Sequence, residues 1–216
     1  MMENSTSSYS PTERTQVRRR STRGVYDKAQ VHAILDEGFL CHIGFVIDGQ
    51  PYVIPTAYAR SGEEVYIHGA PASRVMGVAN QELDMCLTVT LVDALVVARS
   101  AFHTSINYRS VVVLGKARQL TDLEEKRQAL RLFTNHLITG RWEQAKQPTD
   151  QELKATGVLA LPLDEVSAKI RTGPPIDDEE DYALPIWGGV VPVIQTLGEP
   201  VPDARVVAGI APPNSR

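Results

Sequence analysis

The sequence predicts a mainly β fold, a small antiparallel barrel of six to seven strands with a few peripheral helices. Three features carry that expectation. Segment 83–91, Leu83-Asp-Met-Cys-Leu-Thr-Val-Thr-Leu91, alternates strictly, with Leu83, Met85, Leu87, Val89 and Leu91 on one face and polar side chains on the other. Asp48-Gly49, a dipeptide that favours tight hairpins, lies between two strand-like runs at 39–47 and 52–59. The other connections are mostly local and no segment repeats, which suits a barrel better than a parallel sheet.

Along the chain, residues 1–24 are rich in Ser, Thr and Arg, lack the apolar stretch of a secretory signal, and are expected to be a disordered basic tail. Glu3 and Glu13 count against a transit peptide. Arg18, Arg19, Arg20 and Arg23 read as a solvated charge run, with folding over an anionic cofactor as the alternative. Asp27 is a good N-cap with Gln30 three residues on, Val31, Ile34 and Leu35 keep helical spacing, and Gly38 closes a short helix. After the 39–47 and 52–59 strands, Arg60-Ser-Gly62 makes a turn and 65–68 a further strand. The long polar connection 93–108 and the strand 109–118 follow the alternating segment. Thr121-x-x-Glu124 reads as a capping box ahead of the stripe Leu123, Leu130, Phe133, Leu137, and Thr149-x-x-Glu152 starts a shorter helix. Strands at 157–163 and 166–171 close the barrel before the acidic loop 177–181 and Trp187. The folded domain is thus expected at 25–195, with an extended tail at 196–216.

Composition excludes several function classes. A net charge of -4 offers no cationic surface for nucleic acid, and no apolar run approaches the length of a membrane span, so a cytoplasmic protein is expected. The two cysteines, Cys41 and Cys86, sit in apolar strand contexts without metal or disulfide spacing and read as buried thiols; no metal site is expected. Nucleophile-elbow and dinucleotide-fingerprint patterns are also lacking.

The chemistry concentrates at 52–74. The strand at 65–68 runs into Gly69-Ala-Pro-Ala-Ser-Arg74, where Pro71 suits a first helical turn and Ser73 and Arg74 would add a hydroxyl and a guanidinium to unpaired backbone donors. That combination fits a phosphate. Thr88 and Thr90, on the polar face of 83–91, suit the lining of a polar pocket. His68 reads either as a proton donor or as a barrel hydrogen-bonding group, His103 as a loop residue, and His42 as core or dimer contact.

Val65-Tyr-Ile-His-Gly-Ala-Pro-Ala-Ser-Arg74, Phe102-His-Thr-Ser-Ile-Asn-Tyr-Arg-Ser-Val111 and Gly115-Lys-Ala-Arg118 together resemble the FMN-binding split-barrel superfamily, in its pyridoxamine 5'-phosphate oxidase-related, Nim-like branch. The resemblance covers about residues 15–195. It implies a split barrel and a homodimer with FMN between the two barrels. Ile54, Pro55, Thr56, Ala57 and Tyr58 would lie against the ring. Gly69, Ser73 and Arg74 would meet the phosphate, with His68 beside the flavin as a candidate acid. Thr88, Thr90, Tyr108, Arg109 and Ser110 would stand nearby, and Lys169, Arg171 and Trp187 would come from the second subunit. The implied activity is an FMN-dependent oxidoreductase acting on a small organic molecule, such as a nitro compound. The alternatives are a non-catalytic flavin- or haem-binding barrel, with FAD or a deazaflavin also possible as cofactor. Authentic pyridoxamine 5'-phosphate oxidase activity is not expected: 52–58 carries neither arginine nor lysine, and the arginine-rich C-terminal substrate motif of those enzymes is absent.

Overall fold

The structure is a computed structural model that describes residues 7–78 and 84–213. In chain order its elements are β1 (Gly24–Val25), α1 (Lys28–Glu37), β2 (Leu40–Ile47), β3 (Gln50–Ala57), β4 (Ala59–Ser61), β5 (Glu64–Gly69), α2 (Arg74–Val78), β6 (Asp84–Val97), β7 (Ser105–Lys116), β8 (Arg118–Gln119), α3 (Leu123–Leu137), α4 (Arg141–Gln144), α5 (Asp150–Lys154), β9 (Gly157–Pro162), β10 (Glu165–Arg171) and β11 (Gly189–Pro192). The strands form two antiparallel sheets. The larger runs β1-β10-β7-β6-β2-β3, with β11 also paired to β6, and the smaller runs β4-β5-β9-β8. Two stretches of chain change sheets, at Tyr58 between β3 and β4 and at Ala117 between β7 and β8, and these corners make the split barrel.

The alternation at the heart of the sequence reading holds: Met85, Leu87 and Val89 are buried while Cys86 and Thr88 are half-buried on the opposite face. Leu83 lies outside the described residues. The Asp48-Gly49 turn has φ of 50° and 78°, the two left-handed residues of a primed hairpin, and pairs β2 with β3 from Ile47↔Gln50 onward. Asp27 caps α1 by accepting from the Gln30 backbone N–H at 2.9 Å. Gly38 ends it where a Cβ would lie 2.8 Å from both the Tyr58 hydroxyl and Val89 Cγ1, so only glycine lets α1 close on the barrel.

Three expectations need correction. The cap of α3 is Asp122, which accepts from the Glu124 and Glu125 backbone N–H groups, because an aspartate carboxylate one residue on outcompetes Thr121. The long loop at 93–108 is mostly strand: β6 continues to Val97 after a bulge at Asp93, and β7 begins at Ser105. The segment before Gly24 is not a free tail over residues 7–23; residues 1–6 lie outside the described ones. Tyr9 is buried, its hydroxyl donates to Glu63 at 2.8 Å, and its N–H bonds the Tyr26 carbonyl. Thr12 donates to Glu165 at 2.7 Å and Arg14 pairs with the same carboxylate. One aromatic anchor and a few specific carboxylates hold a segment whose average composition is that of a solvated chain.

Lys126 of α3 is 7% exposed and donates to the Thr156 carbonyl at 2.8 Å and the Leu153 carbonyl at 3.2 Å, closing the end of α5. Lys126→Met keeps the stem but leaves two carbonyls unpartnered. It should cost about 1–3 kcal/mol in denaturant unfolding. Among the described residues no helix is long and apolar enough to cross a membrane.

Candidate functional site

Two groups of side chains flank the outward face of the large sheet. The first is the turn after β5. Ser73 N–H bonds the Ala70 carbonyl at 2.8 Å, so Pro71 lies in this turn and not in the helix, and the Ser73 hydroxyl caps the five-residue α2 by accepting from the Met76 N–H at 3.4 Å. Met76, 3% exposed, anchors α2: a Cβ at Gly157 would stand 2.9 Å from its sulfur, and glycine there lets β9 pass. The Arg74 guanidinium lies 4.9 Å over the Tyr52 ring, beside the unpaired edge of β3, and no carboxylate among the described residues pairs with it. A helix this short has little dipole, so the capacity for an anion rests on the guanidinium and the turn.

The second group is a cross-strand row. Thr90 of β6 pairs with Ser110 of β7, Ser110 with Lys169 of β10, and Lys169 with Gly24 of β1. These side chains share the outward face, with Lys169 lacking a carboxylate partner among the described residues. The next row sets Val92, Tyr108 and Arg171 side by side. On the other side, Thr88 pairs with His42 of β2, and His42 with Pro55 of β3. Leu40, Val46, Val53 and Val92 are exposed on the same face, an apolar surface around the polar rows.

Strand alternation removes several predicted residues from this face. Tyr58 is fully buried at the corner of the barrel, its hydroxyl donating to the Leu35 carbonyl at 2.6 Å. Ile54 and Thr56 pair with the inward Ile43 and Cys41, so within β3 the outward positions of the predicted set are Pro55 and Ala57. Arg109 faces away from Ser110, held by Asp93 at 2.7 Å and by both oxygens of Glu37 on α1, where it closes one end of the barrel. Trp187 is 63% exposed beside β11, beyond the Asp93 bulge, and the structure does not bring it to the row.

His68 is turned toward α3. Its ring meets Phe133 edge-on at 4.1 Å, and its buried Nδ1 has no hydrogen-bond partner. Burial lowers its pKa, so the imidazole is neutral near pH 7, which opposes the reading of His68 as a resident acid. The strand reading placed it correctly on the face of Tyr66, but which face α3 covers was not visible locally. Sequence reasoning also left Arg23 in the tail, whereas the Gly24↔Lys169 pairing sets it beside the row; the arginine run 18–23 was the available signal.

The Arg109 cluster predicts a pH dependence. Hydrogen bonds from Arg109 hold the Glu37 carboxyl below its usual range, against an opposing effect of burial. A depressed folded pKa means the stabilisation is complete above the unfolded value of about 4.3 and is lost as pH falls through the folded value. The denaturant midpoint should therefore fall on acidification below about pH 4.5, with a smaller acid-side fall in Glu37→Gln.

Comparison with known proteins follows this geometry. The family model described as pyridoxamine 5'-phosphate oxidase matches residues 27–170. Among solved structures, the chain is 43% identical to the flavocytochrome Anf3 from Azotobacter vinelandii, with a TM-score of 0.89 over 95% of each chain. It is 33% identical to the FAD and heme binding protein from Mycobacterium smegmatis, with a TM-score of 0.85 over 88% of this chain and 94% of that one. Comparison with curated proteins gives no match.

Proposed function

The chain belongs to the pyridoxamine 5'-phosphate oxidase family, and from that premise we propose that it is a homodimeric flavin-carrying oxidoreductase acting on a small organic molecule. The observation that supports this most is the pairing of a cation and hydroxyl row, Thr90-Ser110-Lys169, with the Arg74 turn on the same sheet, neither cation having a carboxylate partner among the described residues. Such cations fit an anionic cofactor. Arg74 and Ser73 hold a phosphate, the β3 edge with Pro55 and Ala57 supports the ring, and Thr90 and Ser110 meet its polar rim. The exposed Leu40, Val46, Val53 and Val92 give the second copy its apolar seat. Bound flavin supplies electron transfer to and from small organic molecules. Residues of the chain exclude water and orient the ring. Pyridoxamine 5'-phosphate is not the substrate we propose, since β3 offers no cation to its phosphate.

Both relatives carry names that include haem or a cytochrome, and one feature of this chain favours a second reading, a haem in addition to flavin. The buried, unpartnered Nδ1 of a neutral His68 is the kind of nitrogen that binds iron. In the present conformation Ala129, Leu130 and Phe133 fill the space against it, and a porphyrin does not fit unless α3 lifts.

The deciding experiment is an absorption spectrum of the purified protein with mass spectrometry of what it releases on denaturation. FMN or FAD supports the proposal; a deazaflavin mass would change the cofactor. A Soret band abolished by His68→Ala would add the haem. A colourless protein that takes up no added flavin would sink the reading.

A further inference from the structure

Three cations converge where the N-terminal segment meets the large sheet. Arg23 ends the short helical turn Ser21–Arg23, and the next residue, Gly24, pairs with Lys169. Arg171 lies two positions along β10, on the same face, opposite Tyr108. It is 7% exposed, and its guanidinium donates to the Asn107 side chain, whose amide is in turn fixed to the Gly173 carbonyl at 3.0 Å. Arg23, Lys169 and Arg171 have no carboxylate partner among the described residues. Burial first, and then the charge of Arg23, pull the Arg171 pKa down, which places the two guanidinium groups within electrostatic reach.

Like charges gathered at a covered site oppose folding unless something offsets them, and a buried guanidinium is ordinarily matched by a carboxylate. This chain has 26 acidic residues against 22 basic ones, so the lack of an acid here is not a shortage of acids. A strongly anionic ligand would complete the cluster. Between them Arg23, Lys169 and Arg171 offer more N–H donors than one phosphate accepts, and the Tyr108 and Ser110 hydroxyls stand beside them. Arg74 lies at the opposite flank: β3 to β10 is four strand spacings, about 19 Å, so the two cannot share one phosphate.

We propose that Arg23, Lys169 and Arg171 form a diphosphate subsite that takes the pyrophosphate of a dinucleotide. The anion chemistry stands on the cluster alone; assigning the dinucleotide as FAD rests on the flavin reading above. The N-terminal segment then forms one wall of the subsite, and it selects dinucleotide over mononucleotide flavin.

The test uses the full chain stripped of bound small molecules, titrated with inorganic pyrophosphate, FMN and FAD in separate calorimetric runs, beside the double variant Arg23→Gln/Lys169→Gln with its circular dichroism checked. The expected result is salt-sensitive pyrophosphate binding that the double variant weakens at least 10-fold, with FAD affinity falling at least 10-fold and FMN affinity holding. Unchanged pyrophosphate binding overturns the subsite. Equal losses for FAD and FMN overturn the dinucleotide assignment. If the wild-type chain binds neither flavin while pyrophosphate binding depends on the two cations, the subsite is upheld and the flavin reading fails.

Discussion

Arg74→Ala weakens flavin binding by about 2–3 kcal/mol, a loss of roughly 30- to 150-fold in Kd, while the fold survives. The size follows from what the side chain does. Its guanidinium is held over the Tyr52 ring at 4.9 Å, so little rotamer freedom remains to be lost when a phosphate binds. It is exposed, and no carboxylate among the described residues competes for it. A charge-assisted fork to a phosphate belongs to the stronger class of hydrogen bonds, and lysine cannot reproduce its two parallel donors. Arg74→Lys should recover part of the affinity and Arg74→Ala none. Fluorescence titration of flavin, in which the free ring is bright and the bound ring quenched, reads both; equal affinity for wild type and Arg74→Ala would remove the guanidinium from the site.

Tyr58→Ala should cost about 3–5 kcal/mol of unfolding free energy, a large share of the roughly 5–15 kcal/mol that holds a domain of this kind together. Tyr58 is fully buried where the chain leaves the large sheet for the small one, and its hydroxyl donates to the Leu35 carbonyl in the last turn of α1. The alanine variant empties an aromatic volume at the corner and frees the end of α1 together. Tyr58→Phe separates the two effects. It keeps the volume and loses only the bond to Leu35, for which about 1–2 kcal/mol is expected in urea unfolding. If phenylalanine cost as much as alanine, the hydrogen bond and not the packing would hold the corner.

What the sequence made legible was whatever is written in neighbouring residues. The Asp48-Gly49 hairpin, the Asp27 and Thr149 caps and the alternation of β6 each depend on a few consecutive side chains, and each forms as read. The resemblance motifs likewise led to the family, because they are local strings in a fixed order. The misreadings share a different cause. Tyr58 and Arg109 were assigned to the cofactor from their position in motifs, yet their partners, Leu35 and Glu37, lie on α1, and no local pattern announces that α1 closes the barrel end. His68 was placed on the correct strand face, but α3 covers that face from far along the chain. Arg23 looked solvated because its neighbours on β10 are distant in sequence. Composition averages over such contacts, and a segment with one buried tyrosine averages to disorder.

The β1 pairing has a consequence for how the protein comes into being. Gly24 and Val25 leave the ribosome early, but their partners Lys169 and Ala168 are among the last strand residues to be made. The first strand must therefore wait, unpaired, while nearly the whole barrel is synthesised, and its docking closes a loop of very high contact order. The order of translation thus makes the N-terminal segment the last to settle, a clasp shut from the outside on a finished barrel. A nucleotide diffusing into the nascent protein would meet the Arg74 turn well before Arg23 had taken its place opposite Lys169. Loading in two stages, the first during synthesis and the second after release, follows from the register of two residue pairs.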